Sequence, residues 1–166
     1  MKLVFNKKGN VLLETFFIIL VLFVVGITGI VSYKFFGTIN DDIQKDLDLD
    51  SDAREEFNHL HTRFPSTMDG IFAVCFGLLW IMTIIAAFLI DSHPVFFVVS
   101  IVILLSLLFV GGLISNVYEE IETDDMLSDS ASSFPITSWI LTHLLHVMVV
   151  LGGSIALALY GKSKVG

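Results

Sequence analysis

The chain has one cysteine in 166 residues, Cys75, so it contains no intramolecular disulfide and no paired-cysteine metal site. Basic residues are few, 9 against 17 acidic ones, and no basic face with interleaved aromatics occurs. That excludes direct nucleic-acid recognition. Prolines number only three and charged residues make up 16%. A soluble fold of this length needs more polar surface than that allows, its apolar share lying near ~45–50%. Here 55% of the residues are hydrophobic and the mean hydropathy is +0.85. Ser-His-Asp groupings, phosphate loops and HExxH motifs are missing too, so the reading is of a non-enzyme without a cofactor or catalytic residue.

What the chain does have is long apolar runs. A membrane helix needs about 20 apolar residues to cross ~30 Å of hydrocarbon. Four stretches meet this: Thr15 to Phe36, Ile71 to Ile90, Val95 to Ser115 and Ile136 to Tyr160. In lipid each must be helical, because unpaired backbone groups there cost several kcal/mol apiece. The sequence therefore predicts an all-α, four-span membrane protein forming a single domain over 1–166. In "FPSTMDG", Ser66 and Asp69 have capping-box spacing ahead of span two. The turn "DSHP" separates spans two and three. "SSFP" offers Ser133 as a cap and Pro135 in the first turn of span four. Without a repeat between the halves, an inverted-repeat transporter has no support.

Charge sets the expected orientation. Lys2, Lys7 and Lys8 precede span one, and Lys162 and Lys164 follow span four, which predicts both termini on the cytoplasmic side. Of the 17 acidic residues, nine lie between Asp41 and Asp69 and six between Glu119 and Asp129. Two acidic outer segments, 38–70 and 116–135, follow. Lys34 is the exception, a cation near the outer end of span one that can snorkel to the interface. In the first segment Ser51 or Asp52 can cap a short amphipathic helix with Phe57, Leu60 and Phe64 on one face, after a smaller apolar pair, Ile43 and Leu47. "DLDLDSD" alternates carboxylates as calcium loops do, but lacks the glycine and terminal glutamate of an EF-hand. A solvated acidic face is the reading, and no metal site is expected. In the second segment Asn116 to Glu122 continues span three, and a Ser-rich return leads to span four. Asp46, Asp48, Asp50, Asp52, Glu119, Glu120 and Glu122 are the candidate contacts for a basic partner.

Within the spans, His143 and His146 stand three apart on one helix face. A metal or haem site, a proton relay and neutral imidazoles bonded across helices to Thr83, Thr142 or Ser100 are the competing readings. His93 lies toward the other membrane side, His59 and His61 in an outer segment, and Glu119 or Glu120 approach His143 only if span three tilts. Glu14 is the other acid at a span, at its cytoplasmic edge. Small residues recur four apart in three spans: Ala73 and Gly77, Gly111 and Ser115, Gly152 and Ala156. Gly26 and Gly29 thin span one similarly. Such pairs let helices approach closely within a bundle or oligomer.

Two resemblances extend this reading. "KKGNVLLE" before an apolar helix resembles the class III signal of type IV pilin-like proteins. That resemblance implies cleavage after Gly9, Asn10 as first residue and Glu14 as the fifth, where it would neutralise the new amine of a neighbouring subunit. Three further spans follow here, and the same stretch also reads as an uncut anchor with Lys7 and Lys8 at the headgroups. "RFPSTMDGIFAV", "IDSHPVFFVVSIVILL" and "ISNVYEEI" resemble small multi-span proteins of membrane-containing tailless viruses. This implies a structural subunit of a virion membrane that contacts lipid, capsid or neighbouring membrane proteins in a homo- or hetero-oligomer. The expected function is a non-catalytic scaffold in a cell or virion membrane. A pilin-like or envelope-machine component is one alternative, and a small channel, holin or proton-conducting protein is another. Intact-mass spectrometry separates the first two: an uncut anchor retains Lys7 and Lys8, whereas a start at Asn10 would establish the pilin-like reading.

Overall fold

A computed structural model describes residues 11–45, 50–89 and 94–165. Gly9, Asn10, the leading lysines, Asp46, Leu47, Asp48 and the Asp91–His93 turn lie outside the described residues. The described residues are helical apart from short turns, with no strand among them. Six helices follow in order: α1 (Val11–Lys45), α2 (Ser51–Leu89), α3 (Pro94–Thr123), α4 (Ser128–Ser132), α5 (Pro135–Thr142) and α6 (Leu144–Val165).

Three helices, α1 to α3, are long and apolar enough to cross a membrane. A fourth crossing exists only if α5 and α6, bent 75° from each other, count as one span. The chain thus has the helices of a multi-pass integral membrane protein. The continuous fourth span expected over 136–160 is corrected: it divides at His143. The reason is a set of polar contacts made by α5, described below.

A second correction concerns the first acidic segment. The sequence suggests a separate short helix before a capped span two, but α2 runs unbroken for 39 residues through "FPSTMDG". Pro65 sits inside it, buried. Lacking an N–H, Pro65 leaves the His61 carbonyl without its usual helical donor, yet its ring is buried rather than exposed at a helix start. Helices of 35 and 39 residues are about 52 and 58 Å long at ~1.5 Å per residue, well beyond the ~30 Å of hydrocarbon. Consequently α1 and α2 continue as a paired helical stalk past their apolar stretches. The end of α3, with α4 and α5, packs at the same end, so the polar segments gather into one head.

The stalk is held by aromatic rings. His61 stacks on Tyr33 at 4.7 Å and 11°, and Phe36 meets Phe57, His61 and Phe64 edge-on at 5.0–5.9 Å. Gly37 makes room for this: a Cβ there would lie 3.3 Å from His61 Nε2. The inward face is therefore Phe57, His61 and Phe64, at i, i+4 and i+7, not the Phe57–Leu60–Phe64 set read from sequence; Leu60 is 51% exposed. Farther up, Gln44 Nε2 donates to the Arg54 carbonyl at 2.8 Å. At the opposite end of the bundle Thr15 Oγ1 approaches Thr83 Oγ1 at 3.4 Å, both residues buried.

Below the head the core falls into two clusters. One joins Ile30, Phe72, Phe76, Tyr118, Phe134 and Leu141 near the head. The other joins Ile19, Ala87, Leu107, Met148, Leu151 and Ile155 farther from it. Small residues allow the close approaches. A Cβ on Gly26 would meet Thr137 Cγ2 at 3.0 Å and Leu141 Cδ1 at 3.1 Å. Gly111 lies against Met148 and Gly152 against Leu104, both too close to admit a Cβ without displacement. Gly29 is buried beside a small cavity, and Ala73 and Ala156 are half-buried. Gly77 has open space where a Cβ would sit, so the Ala73–Gly77 pair forms no close approach at that glycine.

Replacing Tyr33 by Ala removes the ring on which His61 stacks and should lower stability by about 2 kcal/mol. Leu60→Ala, on the exposed face, should change it by less than about 0.5 kcal/mol. Thermal melts followed by circular dichroism in mild detergent measure both, and equal effects would contradict this packing.

Candidate functional site

Among the described residues the densest polar construction surrounds α5, eight residues beginning at Pro135. A proline at the first helical position suits a helix start, but no side chain of its own segment caps it. Ser133, the cap expected from sequence, bonds instead to the Asp129 carbonyl at 3.3 Å. The cap comes from α2. Asp69 Oδ2 accepts the Ile136 N–H at 3.0 Å, and Oδ1 accepts both the Thr137 N–H and the Thr137 hydroxyl at 2.7 Å. Asp69 is 4% exposed and 67 residues away in sequence. A carboxylate at a helix start satisfies donors that have no intrahelical partner and lies favourably in the helix dipole. The Ser66/Asp69 capping box expected at span two is thus corrected: Asp69 caps a different helix and Ser66 lies exposed within α2.

The other end of α5 is fixed by α3. Ser115, Tyr118 and Glu122 fall at i, i+3 and i+7, one face of that helix. Ser115 Oγ lies within hydrogen-bond reach of the Leu141 carbonyl at 3.3 Å and, closer still, of the Thr142 carbonyl. These are carbonyls released where the helix breaks, and the single Ser115 hydroxyl hydrogen goes to the nearer one, that of Thr142, with the Leu141 carbonyl beside it. Tyr118, fully buried, has its hydroxyl 2.7 Å from Ser138 Oγ. Ser138 also donates to the Ala131 carbonyl at 3.0 Å, which uses its only hydrogen and makes Tyr118 the donor in the first bond. A relay therefore runs from α3 through α5 to α4. Thr142 Oγ1 donates to Glu122 Oε2 at 2.9 Å.

The histidines sit at the bend. His143 closes α5 with φ −99° and ψ 22°, and its Nδ1 lies 3.0 Å from the Trp139 carbonyl one turn back. Its ring stacks on Trp139 at 5.1 Å and lies 6.1 Å from the ring of His146. His143 is half-buried and His146 exposed. The bonds across helices expected from sequence are corrected for two of three partners: Thr83 bonds to the Leu79 carbonyl and meets Thr15, and Thr142 bonds to Glu122. The side chain of Ser100 lies outside the described residues. Among the described residues no group of three or more His, Cys, Asp or Glu side chains could hold a metal ion.

The acidic candidates divide in the same way. Asp50, Asp52, Glu119 and Glu120 are exposed. Glu122 is half-buried and bound to Thr142, so it belongs to the clamp and not to the free acidic face. Glu14 is exposed in the first turn of α1. Sequence reasoning passed over Tyr118, Thr137 and Ser138, and it gave Asp69 to the wrong helix. The available signal was a lone acid directly before an apolar run, and a lone tyrosine at the polar end of span three, just before Glu119 and Glu120.

Asp69→Ala should destabilise the protein by about 3 kcal/mol, because it strands buried donors at the start of α5. Asp69→Asn keeps one acceptor oxygen and should lose about half as much. Unfolding in detergent measures both, and an Asp69→Ala variant as stable as the parent would refute the clamp. Comparison with protein-family models, curated proteins and solved structures finds no match for the chain.

Proposed function

We propose that the protein is a non-catalytic, multi-pass membrane subunit of a larger assembly, holding a rigid acidic head clear of the bilayer for a basic partner. The observation that carries this reading is the length of α1 and α2. Each continues as helix well past the hydrocarbon thickness, and aromatic packing locks the two together. A loop that only joins two spans needs no such stalk. The exposed face of that stalk carries Asp50, Asp52, Glu55 and Glu56 on or next to the first turn of α2. Like charges held on a rigid support attract a basic surface and repel DNA or anionic lipid.

The clamp supports the same reading. Its polar groups bond to one another, which suits a structural joint. His143 is tied to its own turn and His146 lies on an outward face. The basic residues flanking the first and last spans favour cytoplasmic termini, with the head on the opposite side. The assembly is a virion membrane or a cell-envelope complex, and the partners are capsid or neighbouring membrane proteins.

Mild solubilisation of the native membrane or particle should recover the chain at fixed stoichiometry with a second protein. Neutralising Asp50, Asp52, Glu55 and Glu56 together should weaken that association about tenfold at low salt, with the difference shrinking as salt rises. Recovery of the chain alone, in free lipid vesicles, would sink the proposal.

A further inference from the structure

A groove of about 570 Å³ opens between the head-proximal ends of α1 and α3, within the ~300–1,000 Å³ range of small-ligand sites. Each helix contributes one stripe at i, i+3, i+4 and i+7. From α1 these are Val31, Lys34, Phe35 and Thr38; from α3 they are Val117, Glu120 and Ile121, with Asp124, the first residue past the helix, at the i+7 place. Met126 and Leu127, in the turn after α3, close the end toward the head. Seven residues of helix make the groove about 10 Å long. It lies where the apolar stretches of both helices give way to the polar head, the depth of lipid headgroups. Phe35, at 67% exposed, and Val117, at 49%, leave its apolar wall uncovered by protein.

The charges select an occupant. The groove carries one cation, Lys34, and two carboxylates, Glu120 and Asp124, all on exposed residues. An anionic headgroup would place its phosphate beside a net negative set. A headgroup with both a phosphate and a primary ammonium matches both signs, phosphate to Lys34 and N–H donors to the carboxylates. We propose that this groove binds one phospholipid of the ethanolamine class, its upper acyl chain along Val31, Phe35 and Val117. The assignment rests on the chain spanning a bilayer, as proposed above.

The test reconstitutes the full chain in bilayers containing equal amounts of phosphatidylethanolamine and phosphatidylglycerol. Flotation and resistance to alkaline extraction come first, and a chain that fails to float overturns both the membrane reading and this one. A floating chain is then purified in mild detergent and its retained lipid is identified by native mass spectrometry. The expected result is one retained lipid per chain, enriched about tenfold for ethanolamine over the bilayer ratio. Glu120→Gln with Asp124→Asn leaves Lys34 as the one charge of the groove, so it should keep a lipid but lose the ethanolamine preference, shifting toward phosphatidylglycerol. Val117→Trp, at an exposed position, should release it while the helical signal stays unchanged. Retention of both lipids in the bilayer ratio by the parent, no retained lipid, or unaltered preference in either variant would each overturn the groove assignment without touching the membrane reading. A second copy of the chain across the groove, detected as a dimer free of lipid, would do the same.

Discussion

The architecture near the head depends on one buried carboxylate. Asp69 stands on α2 at the junction of stalk and apolar stretch, and it holds the first two free N–H groups of α5. An uncapped helix start in that setting would leave donors unsatisfied at a cost of about 1–3 kcal/mol each. Held there, α5 cannot continue the line of α6, and the chain turns by 75° at His143. The turn in turn frees carbonyls, and Ser115 of α3 donates its hydroxyl hydrogen to the nearer of them, that of Thr142. The cap and the bend are thus two ends of one arrangement. α2 fixes where α5 begins, α3 fixes where it ends, and Gly26 of α1 is small enough to let α5 settle against it.

Much of the outline was legible in the sequence because apolar length is a strong signal. The first three apolar stretches coincide with helices, and Asn116 to Glu122 does continue α3. The parts that were not legible share a cause. Capping and packing partners come from distant segments, whereas spacing rules see only near neighbours. Asp69 has capping-box spacing from Ser66, and the local rule assigned it to the helix that follows. The spatial neighbour that needs its oxygens is 67 residues on. Leu60 looks like the better core residue by hydrophobicity, yet His61 is at the helical position that faces Tyr33, and an imidazole stacks well on a phenol. Glu122 reads as one more surface acid until Thr142 is brought to it.

The small residues show a related limit. Gly111, Gly152 and Gly26 each stand where a neighbour's side chain occupies the space of a Cβ, so their spacing does report close approach. Gly77 has the same spacing to Ala73 and nothing opposite it. A small-xxx-small pattern marks a face that permits approach; whether another helix takes the offer depends on how the rest of the bundle is arranged. Here α6 packs with α3 and α2, and α2 with α1, which leaves the Gly77 side of α2 facing outward.

The bend also determines what the molecule can present to its surroundings. Had the fourth apolar stretch stayed straight, the segment after α3 would have to climb back to a helix start with its own local cap. Instead α5 lies across the bundle, and the short α4 packs beneath it with Ser130 and Ala131 buried. This ties the end of α3 to the stalk of α1 and α2 through Phe134, whose ring meets Tyr33 at 5.7 Å. The contact joins the clamp directly to the aromatic stack, so the head is continuous from Ser115 to Phe57. Among the described residues, the joints between clamp and stalk are therefore buried side chains and bonded backbone groups.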